Sequence, residues 1–216
     1  MGNSSDKEKP PANGASPDEA GAGPAHDVKQ RKIVILGYAK VGKTALTQQL
    51  TEDRFTPEYY PTVDQTHYKT LRIRGEDYLL TILDTAGQDD TSLFQPRYTI
   101  ATDGYVIVYS IDDAYSFDIA RVLYERIHEY VVDGVVVLLG NKTDLEKERQ
   151  VSYQQAQALA EEWKCPFLEC SAKRKENIQR VFTTIMEEIL KREDTPATAG
   201  DRPPIKPFWM GMFQSS

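Results

Sequence analysis

Residues Lys32-Ile33-Val34-Ile35-Leu36-Gly37-Tyr38-Ala39-Lys40-Val41-Gly42-Lys43-Thr44 decide the fold of this 216-residue chain. Residues 32–36 are a β-branched apolar run, and residues 43–51 have a helix-compatible composition. Between them, Gly37 to Thr44 fits G-x-x-x-x-G-K-[ST], with strand before and helix after as that pattern requires. The glycines let the backbone wrap closely around a phosphate. Successive N–H groups from Lys40 through Val41, Gly42, Lys43, Thr44 and Ala45 can then converge on its oxygens. The helix N-terminus adds the positive end of a dipole. Lys43 is placed to bridge the β- and γ-phosphates, and the Thr44 hydroxyl to coordinate Mg²⁺. The motif specifies a nucleoside triphosphate but not its base or its chemistry.

Outward from this loop, the alternating segments 66–74 and 77–83 flank the turn Gly75-Glu76-Asp77 and predict an antiparallel hairpin. Residues 104–111 and 135–139 are apolar on both faces, as strands of a covered parallel sheet must be. Helical periodicity runs through 114–131 and 152–163, the latter with Ser152 as its N-cap. A short strand at 166–170 leads to a last helix at about 175–192, with Val181, Ile185 and Ile189 on one face. Strands alternating with helices, without internal repeats, predict a doubly wound α/β sheet. Residues 1–30 are rich in Pro, Gly, Ala, Ser and charge and read as a disordered tail. The expected organisation is that tail, one domain over 31–191, and a flexible tail over 192–216 with an apolar end.

A net charge of −7 argues against non-specific nucleic-acid binding, because no basic excess exists to neutralise phosphates. The two cysteines, Cys165 and Cys170, lack metal-site spacing and read as ordinary thiols. No apolar run is long enough to span a bilayer, and no secretory signal opens the chain, so a cytoplasmic monomer is the expectation. His26, His67 and His128 form no constellation.

Four further segments narrow the chemistry. Asn141-Lys142-Thr143-Asp144 follows strand 135–139 at the carboxyl edge, where ligands sit in open α/β sheets. An aspartate there accepts from both N1–H and the 2-amino group of guanine, neither of which adenine offers. Asp84-Thr85-Ala86-Gly87-Gln88 ends the hairpin. Asp84 is placed to hold Mg²⁺ through water, since Mg²⁺ keeps part of its hydration shell. The Gly87 N–H can approach a γ-phosphate, and Gln88 can orient a water for in-line attack, with Lys43 and Gly87 stabilising the charge that develops. Thr62, in Tyr59-Tyr60-Pro61-Thr62, is the candidate second hydroxyl on Mg²⁺. Lastly, Cys170-Ser171-Ala172-Lys173 follows the final strand, where the Ala172 N–H is in position to meet guanine O6.

These segments, in this order, resemble those of the Ras superfamily of small GTPases. Within it the chain is most similar to the Rheb group, through Gly37-Tyr38, Asp103-Gly104-Tyr105-Val106-Ile107-Val108-Tyr109-Ser110 and the segment from Ser152-Tyr153 to Trp163. The resemblance implies a P-loop G domain: a six-stranded, mostly parallel sheet with one antiparallel strand and helices on both faces. It implies a slow GTP hydrolase that cycles between GDP- and GTP-bound states with Mg²⁺. Loops 55–66 and 84–100 would be ordered by the γ-phosphate and would address effectors, an activating protein and an exchange factor. Phe55 would pack on the guanine ring and Tyr59 would cover the phosphates. Asn141, Lys142, Asp144, Ser171, Ala172 and Lys173 would surround the base, while Thr44 and Thr62 would ligate Mg²⁺ directly.

Departures from the family pattern carry their own expectations. Ala39 and Lys40 occupy positions where Ras proteins have consecutive glycines. A side chain at Ala39 crowds the approach of an arginine finger and the pose of Gln88, so intrinsic hydrolysis should be slow and the activating protein should work differently. The alternative is a GTP-binding adaptor with negligible hydrolysis; an ATP-using P-loop enzyme is opposed by Asn141 to Asp144. Tyr60 replaces the usual Asp of the effector loop, and Asp64-Gln65 replaces Glu-Asp or Glu-Asn, in the segment that addresses a TOR-kinase effector. The chain ends Phe-Gln-Ser-Ser without a later cysteine, so prenylation is not expected. Peripheral membrane association would rest instead on acylation of Gly2, which a single chain makes only marginal, or on the cluster Phe208-Trp209-Met210-Gly211-Met212-Phe213.

Overall fold

Strand β1, Lys29–Gly37, sets the pattern for the whole sheet. Its Ile33 and Ile35 enter one apolar cluster, and its Val34 and Leu36 enter another on the opposite face. That is the two-residue period of a strand covered on both sides. Strands β4 (Gly104–Ser110) and β5 (Val135–Asn141) are buried at every residue. In the computed structural model, which describes residues 28–87 and 94–195, the strand order is β2-β3-β1-β4-β5-β6. Here β2 is Gln65–Ile73, β3 is Glu76–Asp84 and β6 is Phe167–Glu169. Strand β2 runs antiparallel to β3, and every other pair is parallel.

Helices α1 (Lys43–Glu52) and α4 (Ile178–Asp194) supply Leu46, Leu50, Val181, Phe182 and Ile185 to the first cluster. Helices α2 (Ala114–Tyr130) and α3 (Tyr153–Trp163) supply Phe117, Leu123, Ile127 and Leu159 to the second. The fold is thus the P-loop α/β sandwich expected, with one antiparallel strand and helices on both faces. Among the described residues no helix is long and apolar enough to cross a membrane.

Several boundaries differ from the sequence reading, each for a local reason. The hairpin turns at Arg74-Gly75, not over Gly75-Glu76-Asp77, because Ile73 pairs with Glu76. Both turn residues have positive φ, 52° and 85°, the combination that a two-residue turn matched to strand twist needs. Strand β5 runs on to Asn141 instead of ending at Leu139, which carries that residue to the lip of the sheet. The last helix begins at Ile178 and not near 175, because Lys175 and Asn177 adopt positive φ and Ser171 bridges to Glu176. Two 3₁₀ turns, Pro96–Thr99 and Thr143–Glu148, have no periodic signature in the sequence.

Ser152 caps α3 as its sequence predicts, with a full capping box: its hydroxyl accepts from the Gln155 N–H at 3.2 Å, and its own N–H donates to Gln155 Oε1 at 2.9 Å. Ser152→Ala should lower stability by about 1 kcal/mol without changing ligand binding, measured as a shift in the urea midpoint at constant slope. Burial pushes the Cys165 thiol up to about 11 and raises the Cys170 thiol as well, so both stay protonated near neutrality. The residues before Val28, those after Thr195, Gly2, the 208–213 cluster and Gln88 lie outside the described residues.

Candidate functional site

Strands β1, β3 and β5 all end at one edge of the sheet with Gly37, Asp84 and Asn141, and a pocket lies at that edge with Asn141 in its lining. The pocket has a volume of about 790 Å³. Its walls combine the phosphate loop and the start of α1, the segment 54–63, Gly87, and the two loops that follow β5 and β6. Of the residues singled out in the sequence, Lys40, Gly42 to Ala45, Phe55, Tyr59, Thr62, Gly87, Asn141, Lys142, Asp144, Ala172 and Lys173 line it. Val41, Asp84 and Ser171 are buried behind that lining. Gln88, as noted, is not described.

The phosphate loop is held open by backbone geometry. Gly42 has φ +96°, and a Cβ there would sit 2.3 Å from Asn141 Nδ2. Lys43 is buried, and its ammonium donates to the carbonyl oxygens of Gly37 at 2.8 Å and Tyr38 at 3.0 Å. Desolvation lowers its pKa to about 8 against the opposing pull of Asp84 and Asp64. A phosphate group entering beside it would favour the charged form further and raise that pKa again.

Beside this lysine, the Thr44 and Thr62 hydroxyls meet at 2.8 Å although 18 residues separate them. Asp84 is fully buried, and neither of its carboxylate oxygens has a hydrogen-bond partner. Burial raises its pKa, opposed in turn by the nearby Thr44 hydroxyl and Lys43 ammonium. An orphaned buried carboxylate is costly in a folded protein unless a cation compensates it. Two hydroxyls and one carboxylate are all-oxygen donors, the set that a hard divalent cation such as Mg²⁺ prefers. The residues present therefore fit that ion.

At the opposite end, the loops after β5 and β6 are tied to each other. Asn141 donates from Nδ2 to the Val41 carbonyl at 2.8 Å, and its Oδ1 accepts from the Ala172 N–H at 3.2 Å and the Cys170 thiol at 3.4 Å. Its amide thus joins three segments, and the Ala172 N–H assigned to guanine O6 is engaged with Asn141 in this structure. The Gln49 side chain holds the Ala172 carbonyl from α1 at 2.8 Å. Asp144 accepts from the Ser171 hydroxyl at 2.6 Å and lies 3.9 Å from the Lys173 ammonium, its side chain only 8% exposed. Lys142 takes a left-handed backbone, φ 68°, and its ammonium faces Asp112 at 3.6 Å. Phe55 is half-buried on the pocket wall and packs against the first core cluster.

One residue was noticed in the sequence only as a departure from the effector-loop pattern. The Asp64 carboxylate accepts from the Ala86 N–H at 2.8 Å, from the Arg97 guanidinium at 2.5 Å and from the Tyr98 hydroxyl at 3.0 Å. It fastens the segment 55–66 to the segment that follows β3. Nothing local in the sequence marks this, since its partners are 22 to 34 positions away.

Comparison with known proteins agrees with this geometry. The sequence profile described as the Ras family matches residues 32–191. The GTP-binding protein Rheb of Homo sapiens is 42% identical over 167 residues, covering 76% of this chain and 91% of that protein. The GTP-binding protein Rheb homolog of Dictyostelium discoideum is 39% identical over 180 residues, covering 82% and 95%. A Rheb homolog of Drosophila melanogaster is 39% identical over 170 residues, covering 78% and 93%. With a phosphate loop, a base-side aspartate and an orphaned carboxylate gathered at one sheet edge, and a family match over that whole unit, the chain belongs to the Ras family of small GTPases, is Rheb-like within it, and is a GTP hydrolase that binds guanine nucleotide.

Proposed function

We propose that this protein is a GTP-dependent signalling switch whose own hydrolysis is slow. The observation that carries the reading is the close packing of Ala39 against Gly87: a Cβ built on Gly87 would stand 2.7 Å from Ala39 Cα and 2.8 Å from Ala39 Cβ. The residue after Gly87 is Gln88, the water-positioning candidate, so the phosphate loop leaves no side-chain room at the backbone that must aim it. In this reading Lys43 and the Gly87 N–H stabilise charge on the transferring phosphoryl group, and Gln88 orients the attacking water. Thr44, Thr62 and Asp84 hold Mg²⁺, which when bound neutralises charge shared by the β- and γ-phosphates. Asp144 reads the guanine edge, Phe55 supports the ring, and Asn141, Ser171, Ala172 and Lys173 shape the base pocket.

The domain runs over 31–191 between tails. Effectors read 55–66 and 84–100, an activating protein accelerates hydrolysis without the usual arginine finger, and an exchange factor reloads the site. The protein acts in the cytoplasm, with peripheral membrane contact as an option that its ends would supply. The adaptor reading, with negligible hydrolysis, is the extreme of the same Ala39–Gly87 crowding, and the presence of Gln88 favours the switch over it. Single-turnover hydrolysis of bound GTP with Mg²⁺ separates the two. The switch reading expects a slow but measurable wild-type rate that falls roughly 10–100-fold in Gln88→Leu, as when a nucleophile loses its positioning group. Equal, near-zero rates with tight GTP binding would leave the adaptor.

A further inference from the structure

Lys40 stands at a position whose backbone, φ 65°, is left-handed, a conformation that costs every residue except glycine. A lysine held there is worth asking about. Its side chain lines the nucleotide pocket, on the same wall as Lys43. Its ammonium lies 5.6 Å from the centroid of the Tyr59 ring, within the range of a cation–π contact. Tyr59 belongs to segment 54–63, which forms the opposite wall, and is 49% exposed. No ion pair of Lys40 with a carboxylate is found among the described residues, whereas Lys142, Lys173 and Lys175 each have one. The ring face is thus the partner found for this ammonium across the mouth of the pocket.

We propose that Lys40 and Tyr59 form a latch across the nucleotide pocket, in which the lysine side chain retains bound guanine nucleotide by holding the tyrosine over it and by adding a second cation beside Lys43. The inference rests on the nucleotide-pocket reading above and extends it to a side chain whose backbone alone had been given a role. Release of the polyphosphate requires the contact to break, because the phosphate loop and segment 54–63 are joined here by side chains. The cationic part of the effect is screened by salt, and the aromatic part is not.

The test is dissociation of a fluorescent GDP from the full chain, chased with excess unlabelled GDP. Lys40→Met and Tyr59→Leu should each speed release about two- to fivefold, the worth of one such contact. Tyr59→Phe, which keeps the ring face, should retain the nucleotide better than Tyr59→Leu. The double variant should be no faster than the faster single one, since both remove the same contact. Lys40→Gly, which relaxes the left-handed backbone, should lose retention as Lys40→Met does. The wild-type rate should rise more steeply with salt than that of Lys40→Met. Unchanged rates in Lys40→Met and Tyr59→Leu, multiplicative effects in the double, or a Tyr59→Phe as fast as Tyr59→Leu would overturn the latch. Failure of the wild-type protein to bind fluorescent GDP at all would overturn the pocket reading beneath it, and is read separately from any variant.

Discussion

Asp144→Ala is expected to lower discrimination between GDP and ADP by a factor of about 10⁴. The expectation comes from what the site would demand of the wrong base. The Asp144 side chain is 8% exposed, and one of its oxygens already accepts from the Ser171 hydroxyl at 2.6 Å. A carboxylate has about four acceptor sites, so room remains for two further N–H donors from a guanine edge. Adenine supplies neither, and a largely desolvated carboxylate would be left short of donors, which is where strong selectivity originates. Competition binding of GDP and ADP against a fluorescent nucleotide measures the ratio directly. A ratio unmoved by the substitution would remove Asp144 from base recognition.

Asn141→Ala should be the most damaging single change to the fold of the site. Its amide satisfies the Val41 carbonyl, the Ala172 N–H and the Cys170 thiol at once, in a fully buried setting. Truncation would orphan a backbone carbonyl and a backbone N–H, each at about 1–3 kcal/mol. A loss of roughly 3 kcal/mol should appear in urea unfolding, an effect well above that of the Ser152 cap. Nucleotide affinity should fall by about 10²-fold as well, because the phosphate loop and the loop after β6 would no longer be tied together. Wild-type stability in the variant would mean that these groups find other partners and that Asn141 is not the strut described.

Much of this was readable before any coordinates. The phosphate loop is a local motif whose meaning depends only on a strand before it and a helix after it. The two-faced apolar runs of β4 and β5 admit only a sheet covered on both sides. Asn141 to Asp144 sits at a carboxyl edge that chain order alone implies. What escaped depends on partners distant in sequence. Asn141 reads as a base contact in a motif, yet its amide serves Val41, 100 positions earlier. The hairpin register is not legible because Gly75 alone advertises a turn, whereas Arg74 before it also takes positive φ, which its side chain does not signal. The 3₁₀ turn after Lys142 is too short for periodicity to reveal.

Asp64 bears on how many messages the surface can carry. Two loops that moved independently, each with two positions, would offer four combinations to a partner. A carboxylate anchored in one loop and accepting from Ala86, Arg97 and Tyr98 beyond the other strand disfavours the mixed combinations, because parting the loops would take three donors away from a largely buried acceptor. The four collapse toward two. On the switch reading proposed above, a protein that touches either loop would learn the position of both, and the output of the molecule would be a single binary digit, not a pair.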